Sequence, residues 1–299
     1  MVLNVGITRD PPQRALVMSQ ALYVSDLLEK FSSYTDPSST RSFDTPLAED
    51  VVLSPDDQPV VGSPAYDAMT SRRQDYMSIV GGLLWLANMT FPELAFPSGQ
   101  LARFLTNPGE SHLVAAVRVL LYLRGARERV LTFSPDTTRG FQCYVDSSWA
   151  SKFSCSGALF FYHGCLLFWF SKVQRSVTLS SAEAEYFGAM LAARELMFLR
   201  DLAVEFALVL AGPTVLYCDS KSAVEMAFDP VAFKKTKHIL RAAEYLRDLV
   251  LREAVTLEHV PGATMMADIA TKAPARRIFT ELLALLDVFS RSGVAHLPT

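Results

Sequence analysis

The chain predicts an α/β fold, a five-stranded mixed sheet with helices on both faces, behind a mainly helical first half. Two observations carry this. From Phe141 onward an apolar strand-hairpin start gives way to alternating helical and strand-like runs, the order of a mixed sheet. The apolar runs Phe141–Val145 and Thr214–Cys218 are each closed by an aspartate, Asp146 and Asp219. Charged side chains seldom end buried strands unless something binds them, and ligands of open α/β sheets gather at the carboxyl ends of the strands.

The first half justifies its elements in order. Residues 1–33 read as a small hairpin around Asp10-Pro11-Pro12 followed by a helix with Leu22, Leu27, Leu28 and Phe31 at helical spacing. Residues 32–71, rich in Pro, Ser and Asp, read as a loop or linker. Tyr76–Asn88 is a buried helix. A second helix follows Thr90-Phe-Pro-Glu, with Pro92 in its first turn and Pro97 limiting or kinking it. A third runs from about Pro108 to Arg124, with Asn107 as N-cap, Glu110 at the capping-box position and Gly125 as the stop. Val130–Phe133 is a strand, and 135–140 is a turn into the second domain. No acids converge in this half.

The second half reads as strands at about 141–146, 157–162 and 165–170, then a long helix from Ser181. A strand (214–218), a short helix from Ser220, a helix at about 236–252, a strand (Val255–Val260) and a last helical stretch opened by Ala267-Asp268 follow. The domain boundaries are therefore 1–135, 139–275, and 276–299 for a C-terminal helix and tail.

Composition bounds the function. A length of 299 residues suffices for two domains. Half the residues are apolar and 20% charged, an oily balance that points to an apolar face for a partner or an upstream segment. A net charge of −3 argues against non-specific nucleic-acid binding by the whole molecule, so any such surface is a local patch. Cys143, Cys155, Cys165 and Cys218 match no zinc spacing and read as buried free thiols. The start lacks a signal peptide's charged and apolar regions. The longest apolar run, Ala158–Phe170, is broken by His163-Gly164 and is shorter than the ~20 residues of a membrane span. An intracellular protein without a membrane segment is expected.

Four carboxylates then stand out: Asp146, Glu185, Asp219 and Asp268. Glu183 and Glu185 compete for one role. With Ser180 as N-cap, Glu183 completes a capping box and needs no other function, which leaves Glu185. Asp219 also reads as the cap of the helix starting at Ser220, Asp146 as a turn former, and Asp268 as a first-turn acid. Each signal is weak singly; the ordered set is not. Carboxylate oxygens on converging elements are the ligands hard divalent cations prefer.

The chain resembles the C-terminal part of copia-type LTR-retrotransposon polyproteins over nearly its whole length. The motifs are Leu179-Ser-Ser-Ala-Glu-Ala-Glu-Tyr186, Leu216-Tyr-Cys-Asp-Ser-Lys-Ser-Ala223, Thr236-Lys-His-Ile239, Leu257-Glu-His-Val-Pro-Gly262 and Ala267-Asp-Ile-Ala-Thr-Lys272. In the first half they are Ser19-Gln20, the Tyr76–Asn88 helix, Gln100–Pro108 and Val117–Gly125. The resemblance implies a ribonuclease H-like fold at 139–275 behind a reverse-transcriptase thumb/connection-like region, with palm and fingers upstream. Tyr144-Val-Asp146-Ser147 is half of a Tyr-x-Asp-Asp turn, but Ser147 stands where polymerase chemistry needs a second Asp. Departures concern substrate contact and product release, and the stretch between Asp146 and Gly157 is shorter than usual for the family. Ser148 replaces an expected acid, and Pro261-Gly-Ala-Thr264 has no His, which leaves His259, on a strand, with a structural role.

The resemblance further implies hydrolysis of the RNA strand of an RNA–DNA hybrid by two Mg²⁺ ions, or Mn²⁺, held by Asp146, Glu185, Asp219 and Asp268. Expected phosphate contacts are Lys172, Arg175, Lys221, Lys234, Lys235, Lys237 and His238, with hydrogen bonds from Ser171 and Ser222. The expected partners are the hybrid and the upstream polymerase part, in the cytoplasm (within a virus-like particle) or the nucleus. The competing reading is a hybrid-binding remnant with little turnover.

Overall fold

The computed structural model describes residues 3–49, 51–149, 154–174, 178, 180–208, 210, 212–228 and 240–291. The chain divides into two units, Met1–Thr132 with Ala273–Glu281, and Phe133–Lys272 with Leu282–Thr299.

In the first unit, β1 (Gly6–Asp10) and β2 (Ala15–Ser19) form an antiparallel hairpin, Asp10 facing Ala15. α1 (Ala21–Lys30) follows, then the single turn α2 (Ser32–Thr35). The stretch expected as loop contains α3 (Pro64–Thr70). Its start signal is local: Ser63 Oγ accepts the Tyr66 N–H at 3.2 Å, and Pro64 stands where a missing N–H costs nothing. The rest of that stretch is anchored by buried Thr45, Leu47 and Leu53. α4 (Arg73–Met89) buries Tyr76, Ile79, Val80, Leu83, Leu86 and Ala87, an i, i+3, i+4 stripe.

α5 (Ala95–Ala102) is preceded by a 3-10 turn at Pro92–Leu94. Pro97 lies in the first turn of α5 and neither ends nor breaks it, because N–H groups there have no intrahelical partner to lose. α6 (Glu110–Ala126) corrects the expected caps. Gly109 is its N-cap, and His112 Nδ1 accepts the Gly109 N–H at 2.9 Å. Asn107 instead donates to Pro59 O at 3.1 Å, and Gly125 lies inside the helix. β3 (Val130–Phe133) completes a sheet of order β1-β2-β3. Buried Glu93 is engaged locally: its Oε1 accepts the Tyr122 hydroxyl at 3.0 Å and pairs with Arg129 at 3.1 Å.

The second unit is built on a sheet of order β6-β5-β4-β7-β8. β4 (Phe141–Ser148), β5 (Cys155–Tyr162) and β6 (Cys165–Val173) are antiparallel neighbours. β7 (Thr214–Cys218) and β8 (Val255–His259) run parallel to β4. The first three strands are longer than the expected spans because their polar ends, such as Ser147-Ser148 and Ser171-Lys172, keep pairing past the apolar run.

α7 (Ser181–Glu205), α8 (Lys221–Phe228) and α9 (Leu240–Leu251) cover one face. Tyr186, Ala189, Ala193 and Leu196 pack with Cys143, Val145, Phe160 and Leu216. Residues 229–239 lie outside the described set, so the expected helix is described from Leu240. Side chains alternate along a strand, so Asp146 and its cross-strand partner Gly157 face the opposite side from Ser147 and Ser156. There a 3-10 turn, Met266–Ala270, lies against β4 and β5. Asp268 sits in this short turn rather than opening a final helix; α10 (Arg276–Arg291) starts only after Pro274. No helix among the described residues is long and apolar enough to cross a membrane.

Candidate active site

Register sets the first contact. β4 and β7 are parallel with Tyr144 opposite Tyr217, so Asp146 and Asp219, each two residues further on, emerge side by side at the carboxyl ends. Asp219 is not the cap of α8: Ser220 Oγ accepts the Ala223 N–H at 3.3 Å, leaving the Asp219 carboxylate for the site. Ligand oxygens of Asp146, Asp219 and Asp268 lie within 4.8 Å of one another. A second group, Glu185, Cys218 and Asp219, meets the same limit and shares Asp219 with the first.

Glu185 arrives on the first turns of α7, whose start is fixed by Ser180 Oγ accepting the Glu183 N–H at 3.2 Å. A buried polar chain seats that helix on the sheet. Gln174 Nε2 donates to Ser156 Oγ at 2.8 Å and to Ala184 O at 2.9 Å, while Ser156 Oγ lies 3.0 Å from Ser147 Oγ. Gly188 allows the close approach, since a Cβ there would stand 2.1 Å from Ser147 Oγ. Glu185 Oε2 then accepts the Ser147 N–H at 3.1 Å.

The segment after Asp268 supplies contacts that the sequence reading missed. Thr271 donates its hydroxyl hydrogen bond to Asp146 Oδ2. Lys272 Nζ lies 2.8 Å from Asp268 Oδ1 and 3.8 Å from Asp146 Oδ2. Ser148, expected at the substrate, donates to Thr271 O at 3.0 Å. Gly157 admits this segment: a Cβ would fall 2.7 Å from Ala270 Cβ and 2.8 Å from Thr271 Cγ2.

Crowding of negative charge shows in the protonation equilibria. Burial, then the charges of Asp146 and Asp219, push Glu185 up to about 9 against the pull of the Ser147 N–H and Lys272. Burial and Asp146 raise Asp268 to about 7, with Lys272 opposing. Asp219 is raised by burial and Asp146, and Lys272 and His259 pull it back. Burial disfavours the Lys272 cation, but Asp146, Asp268 and Asp219 together raise its pKa. Burial and then Glu185 push the Cys218 thiol up to about 12. All four cysteines are buried and none is in a disulfide.

The donor set fits a hard divalent cation. It is made of carboxylate oxygens from several elements, and their mutual repulsion is the kind a cation relieves. Among the described residues, Cys218 is the one soft donor within reach.

The described residues among the expected phosphate contacts have other neighbours or are exposed. Lys172 pairs with Glu195 at 3.0 Å and lies over the Phe170 ring. Ser171 Oγ lies 3.4 Å from Cys155 Sγ. Lys221 and Ser222 are exposed on the first turn of α8. Arg175, Lys234, Lys235, Lys237 and His238 lie outside the described residues. His259 is exposed at the end of β8, near enough to Asp219 to lower that group's pKa slightly.

The second unit has the ribonuclease H-like α/β fold, which rests on the strand order and connections described above. Among solved structures, LC11-RNase H1, isolated from compost, is 17% identical over 44% of this chain and 92% of its own, with a TM-score of 0.36. No family model matches the chain. It is 31% identical to the retrovirus-related Pol polyprotein from transposon TNT 1-94 of Nicotiana tabacum, over 93% of this chain and 21% of that protein. It is 28% identical to that from transposon RE1 of Arabidopsis thaliana, over 98% of this chain and 19% of that protein. The chain thus spans about a fifth of the length of these curated relatives, and over nearly its whole length it is similar to retrovirus-related Pol polyproteins from plant transposons.

Proposed function

We propose that the second unit is a ribonuclease H that hydrolyses the RNA strand of RNA–DNA hybrids. The observation that carries this is the convergence of Asp146, Asp219 and Asp268 oxygens within 4.8 Å, with Glu185 joining through Asp219. Two Mg²⁺ ions, or Mn²⁺, held by these residues would supply an activated water and stabilise the leaving oxygen. Asp146, aimed by Thr271, lies with Asp219 and Asp268 in one group and would be a ligand common to both ions. Asp268 serves the water side, and Glu185 and Asp219 the leaving-group side. Glu185 is oriented by the Ser147 N–H, which its Oε2 accepts at 3.1 Å.

Selection of a hybrid follows from reading shape and the 2′-OH rather than sequence. Lys221 and Ser222, exposed beside Asp219, are the described residues best placed for backbone phosphates; Ser171, Lys172, Arg175, Lys234, Lys235, Lys237 and His238 complete the proposed contact set. The first unit is proposed as a thumb/connection-like region, working in one polyprotein with upstream palm and fingers, in a cytoplasmic particle or the nucleus. Its described acids form no cluster of the kind found at Asp146.

A second reading, a hybrid-binding remnant with little turnover, draws on the net charge of −3 and on Lys172 being paired with Glu195. Strand-specific labelling separates the two. Wild-type protein with Mg²⁺ should cut the RNA strand of a hybrid and leave its DNA strand, single-stranded RNA and duplex DNA intact. Retention of the hybrid without cutting would favour the remnant.

A further inference from the structure

Among the described residues, Lys272 is the cation that pairs with these acids. Its Nζ lies 2.8 Å from Asp268 Oδ1 and 3.8 Å from Asp146 Oδ2, bridging two carboxylates from distant parts of the chain. Asp268 Oδ1 is buried, and the Lys272 ammonium is the charge that faces it. The Lys272 side chain is 45% exposed, against 4% for Asp146 and 13% for Asp268, so it approaches from the solvent side of the acids. A flexible four-carbon stem lets such a group leave without disturbing the backbone. Thr271, next in the chain, stays hydrogen-bonded to Asp146 and keeps the segment in place.

Resting on the metal-binding reading of these acids, we propose that Lys272 is the resident cation of the site when no metal is bound, and that a divalent ion must expel it from Asp268. The ammonium and the metal seek the same oxygens. Two cations cannot share Asp268 Oδ1 and the flank of Asp146 without strong repulsion at these distances. Lys272 therefore holds the carboxylates together in the metal-free protein and sets a threshold for loading. It is a positioning residue, with no contact to the reacting atoms.

The test is a Mg²⁺ titration of the full chain followed by calorimetry and by thermal unfolding, comparing wild type with Lys272→Met and Lys272→Arg. Lys272→Met removes the competing charge at similar length. It should bind Mg²⁺ roughly tenfold more tightly, and it should unfold at a lower temperature than wild type without metal and at a similar one with saturating Mg²⁺. Lys272→Arg keeps a cation and should stay near wild type in affinity. If the Met protein fails to fold without metal, Lys272→Gln is titrated in its place, with the same shift expected. Equal or weaker Mg²⁺ binding by the neutral variants overturns the proposal while leaving the metal reading intact. Absence of Mg²⁺ binding by wild type and variants alike overturns both.

Discussion

Thr271 Oγ1 donates a hydrogen bond to Asp146 Oδ2, joining residues 125 apart in sequence and tying the turn after β8 to the end of β4. The contact fixes one oxygen of the carboxylate proposed to be shared between two ions. A hydrogen bond to a charged group contributes about 1.5–3 kcal/mol. Thr271→Val keeps the shape and removes the donor. It should lower kcat for hybrid cleavage by about tenfold or more, with the fold unchanged by circular dichroism. Thr271→Ser should restore most of the rate. An unchanged kcat in the Val protein would show that Asp146 is aimed by other contacts.

Glu185 makes stability depend on pH in a defined direction. Its folded pKa, about 9, is above its ordinary value of 4.5. The native state thus holds a proton that the unfolded chain releases between those values. Stability is fully present below about 4.5 and is lost as pH rises through about 9. Metal-free protein should melt at progressively lower temperature from pH 5 to pH 9, and saturating Mg²⁺ should flatten the trend. Glu185→Gln should flatten it without metal and raise the alkaline melting temperature, by about 2–4 °C for each kcal/mol of repulsion removed. Cleavage by that variant should fall to background. A slope unchanged in the Gln protein would assign the pH dependence to other groups.

Gly157 and Gly140 form a matched pair for testing close packing. A Cβ at Gly157 meets Ala270 and Thr271 at under 3 Å, whereas one at Gly140 meets nothing within 4 Å. Gly157→Ala should destabilise the protein by about 1–3 kcal/mol. It should also reduce cleavage, since the segment it displaces carries Asp268, Thr271 and Lys272. Gly140→Ala should stay within about 0.5 kcal/mol of wild type. Urea unfolding of the two proteins reads the difference directly; equal midpoints would refute the tight contact at Gly157.

The sheet, and the positions of Asp146 and Asp219, were legible because each aspartate closes an apolar run, and a buried strand tolerates a charge only at its end. Glu185 stood out because Ser180 and Glu183 read as a capping pair, and Ser180 Oγ does accept the Glu183 backbone N–H. Thr271 and Lys272 were not. Their partners are set by tertiary register, and nothing in Ala-Thr-Lys-Ala marks a donor to a strand in front of it. The helix at Pro64 was hidden by polar composition, although Ser63-Pro64 is a start signal. At α6, Asn107 is the better cap by propensity, but Gly109 with His112 takes the role because the Asn107 side chain donates to Pro59 O. The bland reading of Asp219 as a cap failed for a similar reason: Ser220 was one residue closer to the helix.

The central claim is that the acids around Asp146 hydrolyse RNA paired to DNA, and product analysis of one labelled hybrid tests it most directly. Wild-type protein and Asp146→Asn are incubated with an RNA–DNA hybrid and Mg²⁺, with EDTA as control, and the RNA ends are identified. Mg²⁺-dependent RNA fragments bearing 5′-phosphate and 3′-hydroxyl ends are predicted for wild type, with the Asn variant at least about a thousandfold slower. Cleavage by wild type no faster than by Asp146→Asn, or equal cleavage in EDTA, would contradict it.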